Sequence, residues 1–225
     1  MNQHTLHPVA FLLLLLSACA TRSISNPVRP WGNGNSTYDG ELSDLDVIGT
    51  DLPGDASDGT GEVRLRAGEH VLVVQSGALF PDEQVLTALK AHFDVGVASG
   101  IPSRSTSNAH GMRQAAARGG FSAVIAYWGI LESRARPTAG QAAAWLPIAG
   151  VFVPDERQEM RIRLRIVVVD TRTGRWRSLL PEPMSDDRAS SMVTRTSADR
   201  EQVEVLKEAA YRTGVELVAS QLLQP

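Results

Sequence analysis

A chain of 225 residues with 22 Lys and Arg against 25 Asp and Glu carries a net charge of −3, which excludes nucleic-acid binding through bulk positive charge. Its apolar fraction of 43% excludes a wholly disordered chain and suffices for one ordinary domain plus a tail. A single cysteine, Cys19, excludes an intrachain disulfide, so the fold has to stand on packing.

The first element is the apolar run Val9 to Leu16. It is too short to cross a bilayer as a helix, which takes about 20 apolar residues, and fits the apolar core of a secretory signal. The run closes on Leu16-Ser17-Ala18-Cys19, small residues before a lone cysteine, which resembles the lipobox of bacterial lipoproteins. The resemblance implies cleavage before Cys19 and acylation of its sulfur, hence a membrane partner through a lipid anchor. A cysteine thiolate is nucleophilic enough to accept the lipid. One acyl chain binds marginally, at about 0.8 kcal/mol per methylene, whereas the several chains of a lipoprotein hold permanently. His4 and His7 precede the run without any Lys or Arg, a departure from the usual signal. Ala20 implies the outer membrane, since in lipoproteins an Asp there favours retention in the inner one. The chain then divides into a signal peptide at 1–18, a flexible tether at 19–61 and an α/β periplasmic domain at 62–225.

Residues 20–61 are rich in Gly, Ser, Asn, Pro and Asp, the composition of a tether. Fully extended at about 3.3 Å per residue, it reaches on the order of 100 Å. Trp31, Tyr38, Leu42, Leu45, Val47 and Ile48 are scattered without period; they either dock on the domain or a partner or stay loosely ordered, and the flanking composition favours loose order. Val63 and Leu65, then His70 to Val74, read as two strand pieces, the second apolar throughout as in a buried central strand. Pro81, Asp82 and Glu83 suit the start of a helix in which Val85, Leu86, Leu89 and Phe93 recur at helical spacing. Asp94 to Ala98 is a short strand, and Asn108 to Arg118 a second helix closed by Gly119-Gly120. Phe121 to Leu131 is a strand. Met160 to Asp170 alternates, with Met160, Ile162, Leu164, Ile166 and Val168 on the buried side and Arg161, Arg163 and Arg165 on the wet side. After the turn Thr171 to Gly174, Trp176 to Leu180 returns as a hairpin partner, and Asp199 to Leu222 is a long helix. The expected fold is α/β, a two-layer or three-layer sandwich of order β-α-β-α-β-β-β-α with a mixed sheet.

That order, together with Ala123-Val124-Ile125-Ala126-Tyr127-Trp128-Gly129 and Ile166-Val167-Val168-Val169-Asp170-Thr171-Arg172-Thr173-Gly174, is similar to three periplasmic α/β domains. They are those of the curli secretion lipoprotein, the lipoprotein activators of penicillin-binding proteins and the amino-terminal part of the Tol translocation protein. The resemblance implies an envelope accessory protein that binds or assembles a periplasmic or outer-membrane partner. It also leaves open an oligomeric secretion or channel component, which would be a homo-oligomer.

Two stretches are candidates for partner contact. The connection 134–158 contains Trp145, Leu146, Ile148 and Phe152, and loops of that length in compact domains are usually functional or mobile. These residues either meet a partner or a membrane, or fold back over the sheet. The relative's pore-forming hairpins need two alternating strands of about nine to eleven residues, and this insert has one apolar stretch interrupted by Pro147, which argues against a pore. Arg161, Arg163 and Arg165, with Arg175 and Arg177 across the hairpin, either bind an anionic partner or pair with Glu132, Asp186 and Asp187. No Gly-x-Ser-x-Gly, His-Glu-x-x-His, P-loop or spaced metal-ligand cluster occurs. His70, His92 and His110 stand in different elements, so no enzyme activity, cofactor or metal is expected. Replacing Cys19 by Ser is expected to release the chain from membranes or leave the precursor uncleaved. Fractionation and mass measurement check this, and a normally processed, membrane-bound Cys19→Ser chain would contradict it.

Overall fold

The computed structural model describes residues 19–25, 42, 44–48, 63–101, 109–137, 156–190 and 195–224. Its elements in order are β1 (Cys19–Ser23), α1 (Asp44–Ile48), β2 (His70–Gln75), α2 (Glu83–Lys90), β3 (Asp94–Ala98), α3 (Ala109–Arg118), β4 (Ala123–Pro137), β5 (Glu156–Asp170), β6 (Trp176–Leu179), β7 (Met184–Ser190) and α4 (Arg195–Leu222). One sheet runs β3-β2-β4-β5-β6, with β1 added to β4 and β7 to β5. β2 is parallel to both β3 and β4, and every other pairing is antiparallel. The sheet is mixed, as the alternation of strands and helices implied.

Each face of the inner sheet is covered. Val71, Val73, Ile125 and Val168 on one face pack with α2 and α4 through Val85, Leu89, Leu206 and Val218. Leu72, Val74, Val124 and Val169 on the other pack with α1 and α3 through Val47, Ile48 and Ala116. Burial on both faces explains why Val71 to Val74 is apolar without alternation. The architecture is therefore three layers, α/β/α, which resolves the choice the sequence left between two and three.

Several boundaries differ from those expected. β4 extends to Pro137 and β5 starts at Glu156, so residues 134–137 and 156–158 are strand, and the connection shrinks to 138–155. Polar side chains ending a half-wet strand carry no apolar alternation, so they read as loop. For the same reason nothing in the sequence Met-Ser-Asp-Asp-Arg-Ala-Ser announces β7. Val63 and Leu65 form no named strand; Leu65 makes a single parallel bridge to Leu223 beyond α4. At the turn after β5, the Asp170 carboxylate accepts from the Arg172 and Thr173 amides at 2.9 and 2.7 Å, and Gly174 takes a φ of +74° that only glycine adopts without strain.

The expected tether is corrected over its described parts. Cys19–Ser23 is hydrogen-bonded to β4 in register, Cys19 opposite Arg134 and Ser23 opposite Ile130. Ile24 is buried, its amide donating to the Gly129 carbonyl at 2.9 Å. Leu42, Val47 and Ile48 are buried in the α1 and α3 layer. The physical reason is the outer half of β4: β2 stops at Gln75, leaving an open row of amides and carbonyls that β1 satisfies. Gly129 makes this possible, because a Cβ there would collide with Ile24 Cδ1. Gly129→Ala is therefore expected to lower the unfolding free energy by about 1–3 kcal/mol. In combination with Ile24→Ala the loss should fall short of the sum of the two single losses. Urea unfolding of the four proteins checks this, and strictly additive losses would refute the contact.

Candidate functional site

The outer halves of β4 and β5 run past the inner sheet and recruit β1 and β7, forming a four-stranded antiparallel arm ordered β1-β4-β5-β7. From Trp128 to Pro137 it extends about 30 Å at the usual rise. Its two faces differ. On one, Leu131, Met160 and Ile162 are buried with Met184 packed beside them, and α4 closes over them. There Gln202 Nε2 donates to the Gln158 carbonyl at 3.3 Å, and Arg188 bridges Asp186 and Glu201 at 2.8 and 3.1 Å. On the other face, the α1 and α3 layer stops at the inner sheet.

That second face carries the arginines singled out in the sequence. Arg161, Arg163 and Arg165 lie on it together, as the alternation of β5 requires, and register places Glu132, Ile130 and Trp128 opposite them on β4. Arg163 pairs with Glu132, Arg157 with Asp187 at 2.7 Å, and Arg136 with Glu159 at 3.2 Å. Arg165 Nε donates to Ser178 Oγ at 3.1 Å. Arg161 is exposed and forms no ion pair among the described residues. Arg177 does not join this stripe: opposite Val168, it shares the other face and donates to Gln221 of α4 at 2.8 Å. Asp186 and Asp187 do not act together either, since neighbours on a strand point to opposite faces.

Cys19 opens β1 opposite Arg134, three register pairs from the Pro137–Glu156 pair at the arm's tip. Trp145, Leu146, Ile148 and Phe152 lie outside the described residues, but the strands leading into and out of their segment end at that tip. The arm thus brings together the cysteine, the arginines and the ends of the insert.

A second cluster, not foreseen from sequence, sits at the carboxyl end of β2, beside Tyr127 in the inner half of β4. Asp82, expected only to favour the helix dipole, makes no side-chain cap on α2. Its carboxylate accepts instead from Lys207 Nζ at 3.0 Å and from the Tyr211 hydroxyl. Its amide donates to Gln75 Oε1 at 2.7 Å, and the Tyr127 hydroxyl donates to the same oxygen at 2.6 Å. The available signal is Lys207 and Tyr211, four apart on a helix face otherwise apolar. Beside this cluster Ser25 Oγ donates to the Ser76 carbonyl at 2.5 Å, and Ser76 Oγ accepts from the Leu42 amide at 2.7 Å. The carboxyl end of β2, on the side where open α/β sheets take their ligands, is therefore met by the described parts of the chain's own amino-terminal segment. His70 stacks on Phe121 with ring centroids 4.0 Å apart, and His92 meets Phe93 edge-on at 6.2 Å. Among the described residues no group of three metal-ligating side chains converges. No described helix is long and apolar enough to cross a membrane.

The sequence profile of the YafT bacterial lipoprotein family matches residues 43–221, from α1 to the last turn of α4. The chain belongs to this family. As a YafT-family lipoprotein it has a membrane anchor in the bacterial envelope, and the matched span contains β2 through β7 whole, with β1 just upstream. A comparison with curated proteins finds no match. Among solved structures, a PelC dodecamer from Paraburkholderia phytofirmans is similar at 13% identity and a TM-score of 0.28, over 68% of this chain and 94% of that one.

Burial first, and then the Asp82 charge, raises the Tyr127 hydroxyl well above the usual tyrosine range. Burial, then Tyr127 and Asp82, raises Tyr211 similarly. Both phenols hold their protons in the folded chain at a pH where unfolded tyrosine, at about 10, has ionised. Stability is therefore retained below about pH 10 and falls above it, by about 1.4 kcal/mol per pH unit for each tyrosine. Tyr211→Phe should flatten that alkaline slope by the share of one tyrosine. Urea midpoints taken from about pH 9 to about pH 11 check this, and an unchanged slope would mean that Tyr211 ionises freely in the fold.

Proposed function

We propose that this lipoprotein is an envelope accessory protein, acylated at Cys19 and held in the outer membrane with its domain facing the periplasm. There it binds or assembles a partner without catalytic chemistry of its own. The observation that carries this reading is the pairing of Cys19–Ser23 into the sheet three register pairs from the arm's tip. An acylated Cys19 would leave no slack between lipid and fold. The domain would then sit against the bilayer with its arm at the surface, instead of ranging on the order of 100 Å away as a free tether permits. Ala20 supports the outer membrane over the inner. His70, His92 and the Asp82 cluster lie in separate places, which supports a binding role over catalysis.

The partner-contact residues in this reading are Trp145, Leu146, Ile148 and Phe152, whose segment leaves and re-enters the fold at the arm's tip. Crosslinking in intact envelopes is expected to give a discrete adduct with the wild-type chain that deletion of 140–155 abolishes while Cys19 processing stays intact. The same adduct from the deleted chain would reject the insert as the contact. Ring assemblies in detergent, with residues 142–153 protected from protease, would replace this reading with that of a channel component.

A further inference from the structure

We infer that the open, arginine-bearing face of the arm is a docking surface for the anionic phosphate headgroups of the leaflet that holds the Cys19 lipid. The inference rests on the anchored reading above and names what one face of the arm meets.

Charge is the first ground. Among the described residues, Arg134, Arg136, Arg157, Arg161, Arg163 and Arg165 share this face with four carboxylates, Glu132, Glu159, Glu182 and Asp187, which gives it a net charge of +2 on a chain whose total is −3. Pairing consumes only part of that charge. Three ion pairs use Arg136, Arg157 and Arg163, while Arg161, exposed beside them, pairs with none of the described carboxylates. A guanidinium is weakly hydrated and presents a planar fork that matches phosphate oxygens.

Geometry is the second. Cys19 and Arg161 are separated by two strand spacings and two residues along the arm, about 12 Å between backbones. A lipid leaving Cys19 brings headgroups within reach of the arginines without any rearrangement of the chain. Composition is the third. Ile130, Arg163, Arg165, Leu180, Glu182 and Pro183 are among the residues that line an open cleft of about 560 Å³ on this face. Ile130 is 40% and Leu180 71% exposed there, and apolar side chains set among arginines are the composition of a surface that lies in a headgroup layer. An acidic protein would satisfy the charge but gives no reason for the nearness of the lipid attachment point.

The test uses the unacylated Cys19→Ser chain purified without residues 1–18, which retains every described element. Flotation with phosphatidylglycerol-containing phosphatidylcholine vesicles should recover it with the lipid in low salt, and flotation with phosphatidylcholine alone should not. The triple variant Arg161→Gln, Arg163→Gln, Arg165→Gln should lose about fivefold in partition per arginine, on the order of 100-fold in all. A control with the same charge loss at the far end of the sheet, Arg66→Gln, Arg172→Gln, Arg175→Gln, should retain its partition, and circular dichroism verifies that both variants fold. Equal losses in the two variants, or no preference for anionic vesicles, would overturn the inference. So would a crosslink from these arginines to an acidic protein in place of lipid. The anchored reading is judged separately, by the mass of the Cys19 peptide from envelope-extracted full chain, so either idea can fail without the other.

Discussion

Fifteen consecutive register pairs join β4 to β5, from Ala123 opposite Asp170 to Pro137 opposite Glu156, and every other part of the molecule is placed by this ladder. Its inner half is a buried pair in a mixed sheet, lined on both faces by Val, Ile and Ala and closed by helices. Its outer half outruns the strands beside it. A ladder that projects in this way leaves backbone donors and acceptors open along both edges, a cost the chain avoids by laying β1 along one edge and β7 along the other. The amino-terminal segment is thus a structural part of the sheet, required by the length of two strands distant from it in sequence.

The same segment determines what the fold can hold. Ile24 lies over Gly129, Ser25 hydrogen-bonds the end of β2, and the Trp128 indole donates to the Leu42 carbonyl at 2.6 Å. Ser25 and Leu42 thus contact the carboxyl end of β2. The buried network beneath them, Asp82 with Lys207, Tyr211, Tyr127 and Gln75, ties α2 and α4, which share one face, to each other and to the sheet. Each group there has a partner of complementary type, so the low dielectric strengthens the links between layers instead of leaving polar atoms to destabilise them.

With the inner sheet covered on both faces, the arm is where the described surface departs most from an ordinary α/β domain. One side is sealed by α4. The other presents cations where the chain as a whole is acidic, on strands that begin at the sole cysteine. In the proposed reading of Cys19 as the anchor, this asymmetry would link anchoring to orientation. A lipid on a loose tether would leave the domain free to turn, whereas one attached at a paired strand would bring the same face to the bilayer each time.

What could be read from the chain followed from how much each residue buries. The run Val71 to Val74, the helical spacing of Val85, Leu86 and Leu89, and the alternation from Met160 to Val168 all announce a buried face through local periodicity. They were enough to give an α/β fold and to place Arg161, Arg163 and Arg165 together. β1, β7 and the strand ends near Pro137 and Glu156 carry no such periodicity, because their hydrogen bonds, more than their side chains, hold them in place. The facing of Arg177, the pairing of Asp82 with Lys207 and Tyr211 across 125 and 129 residues, and the docking of residues 19–25 were likewise decided only when distant strands met. Local sequence records which side chains avoid water, but which open backbone edge a polar segment will satisfy depends on lengths and registers that exist only in the assembled sheet.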